Sequence, residues 1–577
     1  MEKRINKVNL IDYLIGILII FIFTWDPNFG HGHIVGPDEG QHLAWINEIL
    51  HGKTVYKDIY IFYGPLLEFL SIIFMKIFGI SLWSLRLFYQ ISNMLILIIG
   101  FLILKLILRT RTFLYIGLWA LLSTKVNGFW MPRWGGPRLV LGLIAVWLIL
   151  WYLKKERKWS LFLGGVFTGL ALFTSQEIGI MILFSTILFL FFSNLYITKK
   201  LEIKSLVRII FLYLSGFLIA AGPIVLYLLI KGAFFDYINI CFIDLPFKYP
   251  KHFVEPEFTK LLFISFFSNL KIPFAYNLNY FLYYLLSLLI YAIGLGYIIW
   301  NFAFHKMTRQ RLTLLFVLLF GIPLYLSAFR QIIGEQIALY SLPIVATAMF
   351  LLERLFLLSK DNLAIQRKNF NLKKLVIAIF CLILIQDVCL VLLIKSTPYR
   401  YLKDIISSYL TLNKDPEDRF YRFTYTPMTA EEKYARLDGD WKALDLERAR
   451  GVMIPKKQAE AISGAVDFIK KNTSSDEEIF VFPHEGEYYF FTDRPSITRF
   501  TPTIYASIDK KYQEKVVNDL KTKKPRYCIY IRDAYVFTDY NKIPNEKRLD
   551  LIFNYLNNNY YIKKQYGQTF ILERKSL

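Results

Sequence analysis

Long apolar segments, separated by short polar ones, occupy most of the first 395 residues of the chain. Segments of this kind are long enough to cross a hydrocarbon core of about 30 Å as α-helices. The pattern therefore predicts a polytopic α-helical membrane domain with about 11 spans. The expected spans are 9–25, 83–108, 112–128, 137–153, 159–175, 178–198, 206–230, 279–303, 311–327, 337–357 and 375–394.

Two shorter helices are predicted in the loop at 26–82, which follows the first span. Apolar residues recur at helical spacing over 43–50, and Asp38 precedes them in a position to cap the helix. A second helix, at 65–79, is too short to cross the hydrocarbon core and carries a polar stripe that includes Glu68. We expect both helices to lie on the outer surface of the membrane.

Basic residues cluster in the short segments between the predicted spans. If 65–79 is a surface helix, these clusters all fall on the side of the amino terminus, as the positive-inside rule requires. The amino terminus is then cytoplasmic, and the loop at 26–82 and everything after about 395 are extracytoplasmic. The net charge of +23 therefore indicates orientation in a cell membrane, the inner one where there are two, and predicts no nucleic-acid partner.

From residue 396 onwards the composition becomes that of a soluble domain. After an irregular connector at 398–455, helices alternate with strands, which predicts a small α/β domain at the end of 396–577. No GxGxxG or P-loop sequence accompanies it, so we assign it no nucleotide. The expected helices lie near 457–472, 508–522 and 546–558, and the expected strands near 478–483, 526–532 and 560–574.

The acidic pair Asp38 and Glu39 has a functional and a structural interpretation. A carboxylate on a rigid element beside an access path can accept a proton from a hydroxyl or an amine. Acidic residues are also common at helix starts, where they cap the helix and interact with its dipole. Spacing alone favours the second interpretation.

Other charged residues that are candidates for catalysis or binding fall on the same outward face. Arg133 and Arg138, on an outward loop rich in aromatic residues, are suited either to an anionic partner such as a phosphate or to anchoring among lipid headgroups. Glu177 lies in a polar corner between two apolar spans, where we expect it to pair with one of these arginines unless the corner is a simple turn. Arg330 and Glu335 either hold a phosphate group or join two helix ends as an ion pair.

The cysteines and histidines predict no metal site. The four cysteines have no CxxC spacing, and two of them fall within a predicted span. His31, His33, His42 and His51 fit no compact ligand pattern, so we expect them to be surface imidazoles.

The first hundred residues resemble the GT-C superfamily of glycosyltransferases. The resemblance rests on the outward Asp38-Glu39 pair, on Tyr56-Lys57-Asp58, on Tyr63-Gly64-Pro65-Leu66, on Phe78-Gly79-Ile80-Ser81 and on Arg86. The sequence is most similar to the bacterial members of this superfamily that resemble protein mannosyltransferases and the aminoarabinose transferase. The similarity is looser in the later spans and extends to the outer domain only in architecture.

This resemblance implies a membrane enzyme that transfers a sugar from a polyprenyl-phosphate donor to a lipid, glycan or protein acceptor on the non-cytoplasmic side, with inversion. It implies that Asp38 deprotonates the acceptor with support from Glu39, and that Arg133, Arg138 and Arg330 hold the departing lipid phosphate. The remaining members of the expected substrate-binding set are Tyr63, Glu177 and Glu335.

The sequence departs from this family at two places. Tyr63-Gly64-Pro65 stands where many relatives have Lys-Pro-Pro, so the phosphate contact of that lysine is absent. The second acidic residue that some members carry in the loop at 127–138 is also missing, and Glu177 is the substitute that we assign. We therefore assign no metal ligands and no cofactor.

Two other functions remain open at this stage. A transporter or flippase of lipid-linked glycans requires ionisable residues along a path through the bilayer, whereas here they gather at one rim. An assembly scaffold that binds through its outer domain is the other alternative.

Overall fold

The computed structural model describes most of the membrane helices, the first loop and most of the carboxy-terminal region. Several sequence-based predictions fall outside the described residues: Arg133, Arg330, Glu335, the last expected span at 375–394 and the boundary between 395 and 396. The described ranges are 10–25, 29–30, 32, 34, 36–127, 135–197, 202–249, 286–304, 306–328, 340–361, 441–532 and 544–575.

Over its described residues, each expected span before 375–394 coincides with an observed helix. The third, with the shortest apolar core, is also a helix. We number these helices in chain order together with the surface helices of the first loop: α1 (Leu10–Thr24), α2 (Gln41–Leu50), α3 (Pro65–Phe78), α4 (Leu82–Ile107), α5 (Arg111–Asn127), α6 (Gly135–Lys155), α7 (Lys158–Leu172), α8 (Gln176–Ile197), α9 (Ile203–Ile230), α10 (Phe234–Ile238), α11 (Ser287–Ala303), α12 (Arg309–Ala328) and α13 (Ser341–Asp361).

Among the described residues, five helices are long and apolar enough to cross a membrane: Leu82–Ile107, Gly136–Lys155, Gln176–Tyr196, Ile203–Ile230 and Arg309–Ser327. The helices Leu10–Thr24, Arg111–Leu122, Lys158–Leu172 and Ser287–Ala303 are apolar but shorter. This arrangement is that of a helical membrane protein with several spans.

Helices α7 and α9 pack with their backbones in close approach. A Cβ atom at Gly165 of α7 would lie 2.1 Å from the carbonyl oxygen of Tyr213, and one at Gly216 of α9 would lie 2.1 Å from that of Phe162. Small residues allow this approach where van der Waals packing holds helices together in lipid.

Most of the predicted basic clusters of the described spans meet at one end of the bundle, which we call the basic end. The buried carboxylate of Glu353 accepts hydrogen bonds from the backbone N–H groups of Arg109 and Thr110 at 2.8–3.1 Å. Arg309 of α12 pairs with Glu156, which follows α6. These contacts agree with the prediction that the clusters share one side of the membrane.

The two helices expected in the first loop are present, at the opposite end of the bundle. Helix α3 buries Glu68, Ser71 and Met75 and exposes Ile73 and Ile77. A polar stripe turned inward and an apolar face turned outward are the arrangement expected of a helix that borders lipid. The prediction that Asp38 caps α2 is wrong, because the N-cap is Gly40 and Asp38 lies in a π-helical turn, Gly36–Gly40, that precedes it.

The carboxy-terminal region forms the expected α/β domain, with a four-stranded sheet in the order β3 (Phe480–Phe482), β4 (Tyr527–Ile531), β6 (Thr569–Arg574) and β5 (Tyr560–Tyr566). Strands β3 and β4 are parallel, and β4, β6 and β5 are antiparallel. Two features were not predicted from the sequence: a two-stranded sheet within the supposed connector, and the short helices before the helix Lys510–Lys523. The elements are β1 (Trp441–Ala443), β2 (Met453–Pro455), α14 (Lys456–Asn472), β3 (Phe480–Phe482), α15 (Glu487–Thr492), a 3₁₀ helix (Thr503–Ile508), α16 (Lys510–Lys523), β4 (Tyr527–Ile531), α17 (Asn545–Arg548), α18 (Asp550–Asn559), β5 (Tyr560–Tyr566) and β6 (Thr569–Arg574).

The first loop lies between the membrane helices and this domain and shares a core with both. One hydrophobic cluster joins Leu43 and Ile46 of α2 to Phe490 of α15 and Ile529 of β4. Polar contacts close the edges of the junction: Asn47 donates to the carbonyl oxygen of Arg494 at 2.9 Å. The loop and the domain therefore pack as one body rather than as a module on a linker.

We expect Gly216→Ala to lower the thermal stability of the detergent-purified protein. The new methyl group would collide with the Phe162 carbonyl oxygen of α7, and overpacking of this kind costs about 1–3 kcal/mol. Gly296→Ala is the matched control, because a Cβ atom on this α11 glycine meets nothing within 4 Å. An equal melting temperature for both variants would contradict the close approach of α7 and α9.

Candidate functional site

The predicted acidic pair is divided between two environments. Glu39 is 1% exposed and accepts two hydrogen bonds from the Arg86 guanidinium of α4, at 2.8 Å from Nε and 2.7 Å from Nη2. Arg86 also donates to the carbonyl oxygen of Gly30 at 2.7 Å. Asp38, its neighbour, is half-buried. Glu39 thus fixes the segment to the bundle, while Asp38 remains accessible.

Four residues after Asp38, the His42 side chain is completely buried. Its Nδ1 atom lies 2.5 Å from the Oε1 atom of Glu68 on α3. Its ring stacks on that of Tyr63, with centroids 5.7 Å apart and planes 11° from parallel. The expectation of a surface imidazole is therefore wrong for His42, because α2 and α3 pack face to face around it.

Tyr63 lies between the Asp38 segment and the arginine side of the site. The guanidinium carbon of Arg138 lies 4.5 Å from the centre of the Tyr63 ring, within cation–π range. Burial raises the pKa of the Tyr63 hydroxyl to about 12; the Arg138 charge opposes this rise, and the carboxylates of Asp38 and Glu177 add to it. Tyr63 is accordingly a hydrogen-bond donor at neutral pH.

The predicted pairing of Glu177 with an outer arginine is confirmed. Arg138 Nη2 lies 3.8 Å from Glu177 Oε2 and donates to the Ser175 hydroxyl at 3.2 Å. The Tyr340 hydroxyl donates to the same Glu177 oxygen at 3.5 Å. Arg138 lies on the first turn of α6 rather than on a loop, and it is 8% exposed, so it is not a freely exposed lipid anchor.

Backbone contacts join the Tyr63 segment to the corner between α7 and α8. A Cβ atom at Gly64 would lie 2.1 Å from the carbonyl oxygen of Phe173, which accepts a hydrogen bond from the N–H of Leu66 at 2.8 Å. Gln176 donates to the carbonyl oxygen of Phe62 at 2.6 Å. Only glycine fits at position 64, and this close contact places Tyr63 against the corner that carries Glu177.

The structure thus brings together Asp38, Tyr63, Arg138 and Glu177, which are distant in sequence. The carboxylates, guanidinium and phenol lie on the domain-facing end of the bundle, opposite the basic end. Such a set can accept a proton and can hold an anion. Arg133, Arg330 and Glu335 lie outside the described residues, so their places in the site remain predictions.

Four residues that build this site had no site role assigned from the sequence. Arg86 belongs to the resemblance but had no assigned role. Glu68 lies on the polar stripe of α3, and His42 lies in the first turn of α2; neither position alone indicates that the two side chains pair. No signal pointed to Tyr505 of the outer domain, whose hydroxyl donates to Gln41 at 2.6 Å.

Comparisons with known proteins identify the fold. No family model and no curated protein sequence matches the chain. Two solved structures of ArnT from Cupriavidus metallidurans, one bound to undecaprenyl phosphate and one in the apo state, each match with a TM-score of 0.50 and cover 98% of this chain and 97% of theirs. The sequence identities are 12% and 13%, respectively.

This likeness establishes the fold. ArnT is an aminoarabinose transferase of the GT-C type, so the predicted resemblance to GT-C enzymes is confirmed at the level of the fold. It extends over both the membrane helices and the outer domain.

We expect Arg86→Met to destabilise the protein by about 3–5 kcal/mol, because it leaves the Glu39 carboxylate buried without its charged partner. The measurement is the melting temperature in detergent. The paired replacement Glu39→Leu/Arg86→Met removes both charges and should recover most of the loss. A single variant as stable as the unmodified protein would show that the pair does not fix the segment.

Proposed function

We propose that the protein is a membrane glycosyltransferase that moves a sugar from a polyprenyl-phosphate donor to an acceptor on the non-cytoplasmic face, with inversion. The observation that carries this proposal is the meeting of Asp38, Tyr63, Arg138 and Glu177 at one end of a bundle with the ArnT fold. The donor class is inferred from undecaprenyl phosphate in the ArnT complex, a lipid phosphate of the polyprenyl type.

Asp38 is the proposed general base. It takes the proton from the acceptor hydroxyl or amine while that atom forms a bond to the anomeric carbon of the sugar. The bond between this carbon and the phosphate oxygen breaks, and its electron pair leaves with the polyprenyl phosphate. Attack from the face opposite the leaving phosphate inverts the anomeric configuration.

Glu39 supports this step without contacting the substrate. Its two hydrogen bonds to Arg86 fix the backbone on which Asp38 lies. A base that is fixed before the substrate arrives loses less entropy in reaching the transition state.

Arg138 is the residue that we propose binds the departing phosphate and stabilises its charge. Its guanidinium is fixed by Tyr63 on one side and by Ser175 and Glu177 on the other. Negative charge accumulates on the phosphate as the bond breaks, and a cation that is already oriented stabilises it without reorganisation. The Tyr63 hydroxyl, protonated at neutral pH, is a second donor to the phosphate. We propose the same phosphate-binding role for Arg133 and Arg330, and a substrate-binding role for Glu335.

The distribution of charge favours this function over transport. In most of the described spans, charged side chains lie near helix ends, as with Arg86 and Lys105 of α4, or Arg138 and Lys154 of α6. A flippase of a charged glycan lipid would use such groups near the middle of the bilayer. Glu353 and Arg354 lie further inside α13, but they belong to the basic end, where Glu353 contacts the backbone of Arg109 and Thr110 and Arg354 contacts Gln310.

We expect Asp38→Asn to lower kcat by about 10²–10⁴-fold, the usual contribution of a general base. The measurement is transfer by purified protein from a panel of polyprenyl-phosphate sugars. The control is Asp58→Asn: this exposed carboxylate, in the same loop, accepts a local hydrogen bond from the Thr54 N–H at 2.9 Å. Full activity of Asp38→Asn would refute the assignment of the base.

We expect Arg138→Gln to lower kcat/KM by about 10²–10³-fold, because the amide keeps a hydrogen-bond donor but loses the charge that faces the leaving phosphate. Arg208→Gln is the control, since Arg208 is exposed near the start of α9, away from the site. Equal rates for the two variants would remove Arg138 from the phosphate site.

A further inference from the structure

The outer domain covers the segment that carries Asp38, and the backbones of the two lie in close contact. A Cβ atom at Gly486 would lie 2.7 Å from the carbonyl oxygen of Gly40 and 2.8 Å from the Cβ atom of Ala44. A Cβ atom at Gly40 would lie 2.2 Å from the Glu487 carboxylate. The first residues of α15 therefore lie directly against the turn at Gly36–Gly40: a side chain at Gly486 would collide with the Gly40 backbone, and one at Gly40 would displace the Glu487 carboxylate.

Tyr505, in the 3₁₀ helix of the domain, contacts the same segment from another direction. Its hydroxyl donates to the Gln41 amide oxygen at 2.6 Å, three residues after Asp38. The Asp38 carboxylate is near enough to influence this phenol: burial raises the pKa of Tyr505 well above its usual value, and the charge of Asp38 is among the groups that add to the rise.

Tyr505 is itself firmly held. Its ring meets Phe62 edge-on with centroids 4.9 Å apart, and the side chain is 3% exposed. The backbone on both sides is tied to strand β3 and its end: Ile504 N–H donates to the carbonyl oxygen of Pro483 at 2.8 Å, and the Thr503 hydroxyl to that of Val481 at 2.8 Å. The phenol is therefore a fixed point of the domain, not a mobile surface group.

We propose that Tyr505 is a positioning residue, through which the outer domain holds the Asp38 turn in the orientation that catalysis needs. The inference rests on the proposed function for its catalytic consequence. Glu39 and Arg86 fix the turn from the membrane side, and the Tyr505–Gln41 hydrogen bond and the Gly40–Gly486 contact fix it from the outer side. The site is thus completed by a domain that follows the last described membrane helix in sequence.

The Tyr505 contact affects catalysis because a general base is less effective when its orientation is loosely defined. Without the Tyr505–Gln41 hydrogen bond, the turn keeps its fold but samples orientations in which the Asp38 carboxylate is turned away from the acceptor. The donor-binding side is held by other contacts, from Arg138 to Tyr63 and Ser175 and from Glu177 to Tyr340. The loss should therefore appear in kcat and leave the KM for the donor nearly unchanged.

The test is Tyr505→Phe, which removes one hydroxyl and keeps the ring. We expect kcat to fall about threefold to tenfold, the range set by one buried hydrogen bond, with the donor KM changed by less than about twofold. Tyr560→Phe is the matched control: its hydroxyl also makes a buried hydrogen bond, to the carbonyl oxygen of Pro525 at 2.9 Å within the domain. An equal fall in both variants would show a general loss of stability and overturn the proposal.

A double-mutant cycle with Gln41→Leu isolates the hydrogen bond itself. If Tyr505 acts through Gln41, the double variant Tyr505→Phe/Gln41→Leu should be no slower than the slower single variant. Fully additive losses would mean that the two side chains act independently, and the proposal would fail.

Hydrogen–deuterium exchange gives a readout that needs no substrate. In Tyr505→Phe, backbone amides of 36–45 should exchange faster than in the unmodified protein, while those of the Arg138 turn stay unchanged. Faster exchange in a protein that transfers no sugar would preserve the positioning role and reject only the proposed function. Unchanged exchange together with unchanged kcat would reject the positioning role alone.

Discussion

The buried ion pair between Glu39 and Arg86 is the interaction on which the rest of the site depends. It joins the turn that carries Asp38 to a membrane helix by two short hydrogen bonds, and Arg86 extends the connection to the backbone of Gly30. A buried pair of this kind contributes little net stability compared with apolar packing, but it is costly to break. Its effect is therefore to specify one position for the turn.

The first loop works as a layer between two larger bodies. Below it, Gly64 and Leu66 contact the Phe173 backbone at the corner between α7 and α8; above it, α2 packs on α15 and the central sheet. The layer contributes Asp38 and Tyr63, the bundle contributes Arg138 and Glu177, and the domain holds the layer from outside. A site assembled in this way lies where an amphiphilic substrate can keep its apolar chain in lipid and its polar head beside charged groups.

Much of the architecture could be predicted from the sequence because hydropathy and charge act over long segments. The helices of the bundle, the first-loop helices α2 and α3, and the alternating elements of the outer domain follow from periodicity, and the positive-inside rule predicts that 65–79 is a surface helix. The pairing of Glu177 with an outer arginine could also be predicted from the sequence, because a carboxylate between apolar spans needs a partner.

What could not be predicted depends on contacts between distant segments. Asp38 and Glu39 are adjacent and chemically alike, yet only the position of Arg86 on α4 separates a buried anchor from an accessible acid. His42 is buried because Glu68 on another helix meets it, and Tyr505 reaches Gln41 across more than 460 residues of sequence. The sequence around each of these residues contains no local pattern that indicates its distant partner.

The most direct test of this account is an experimental structure of the protein with a polyprenyl phosphate bound. The account predicts that the phosphate contacts the Arg138 guanidinium at the domain-facing end, with the Asp38 carboxylate across the reaction centre from it. A phosphate bound instead at the basic end, beside Arg109 and Arg311, would contradict it.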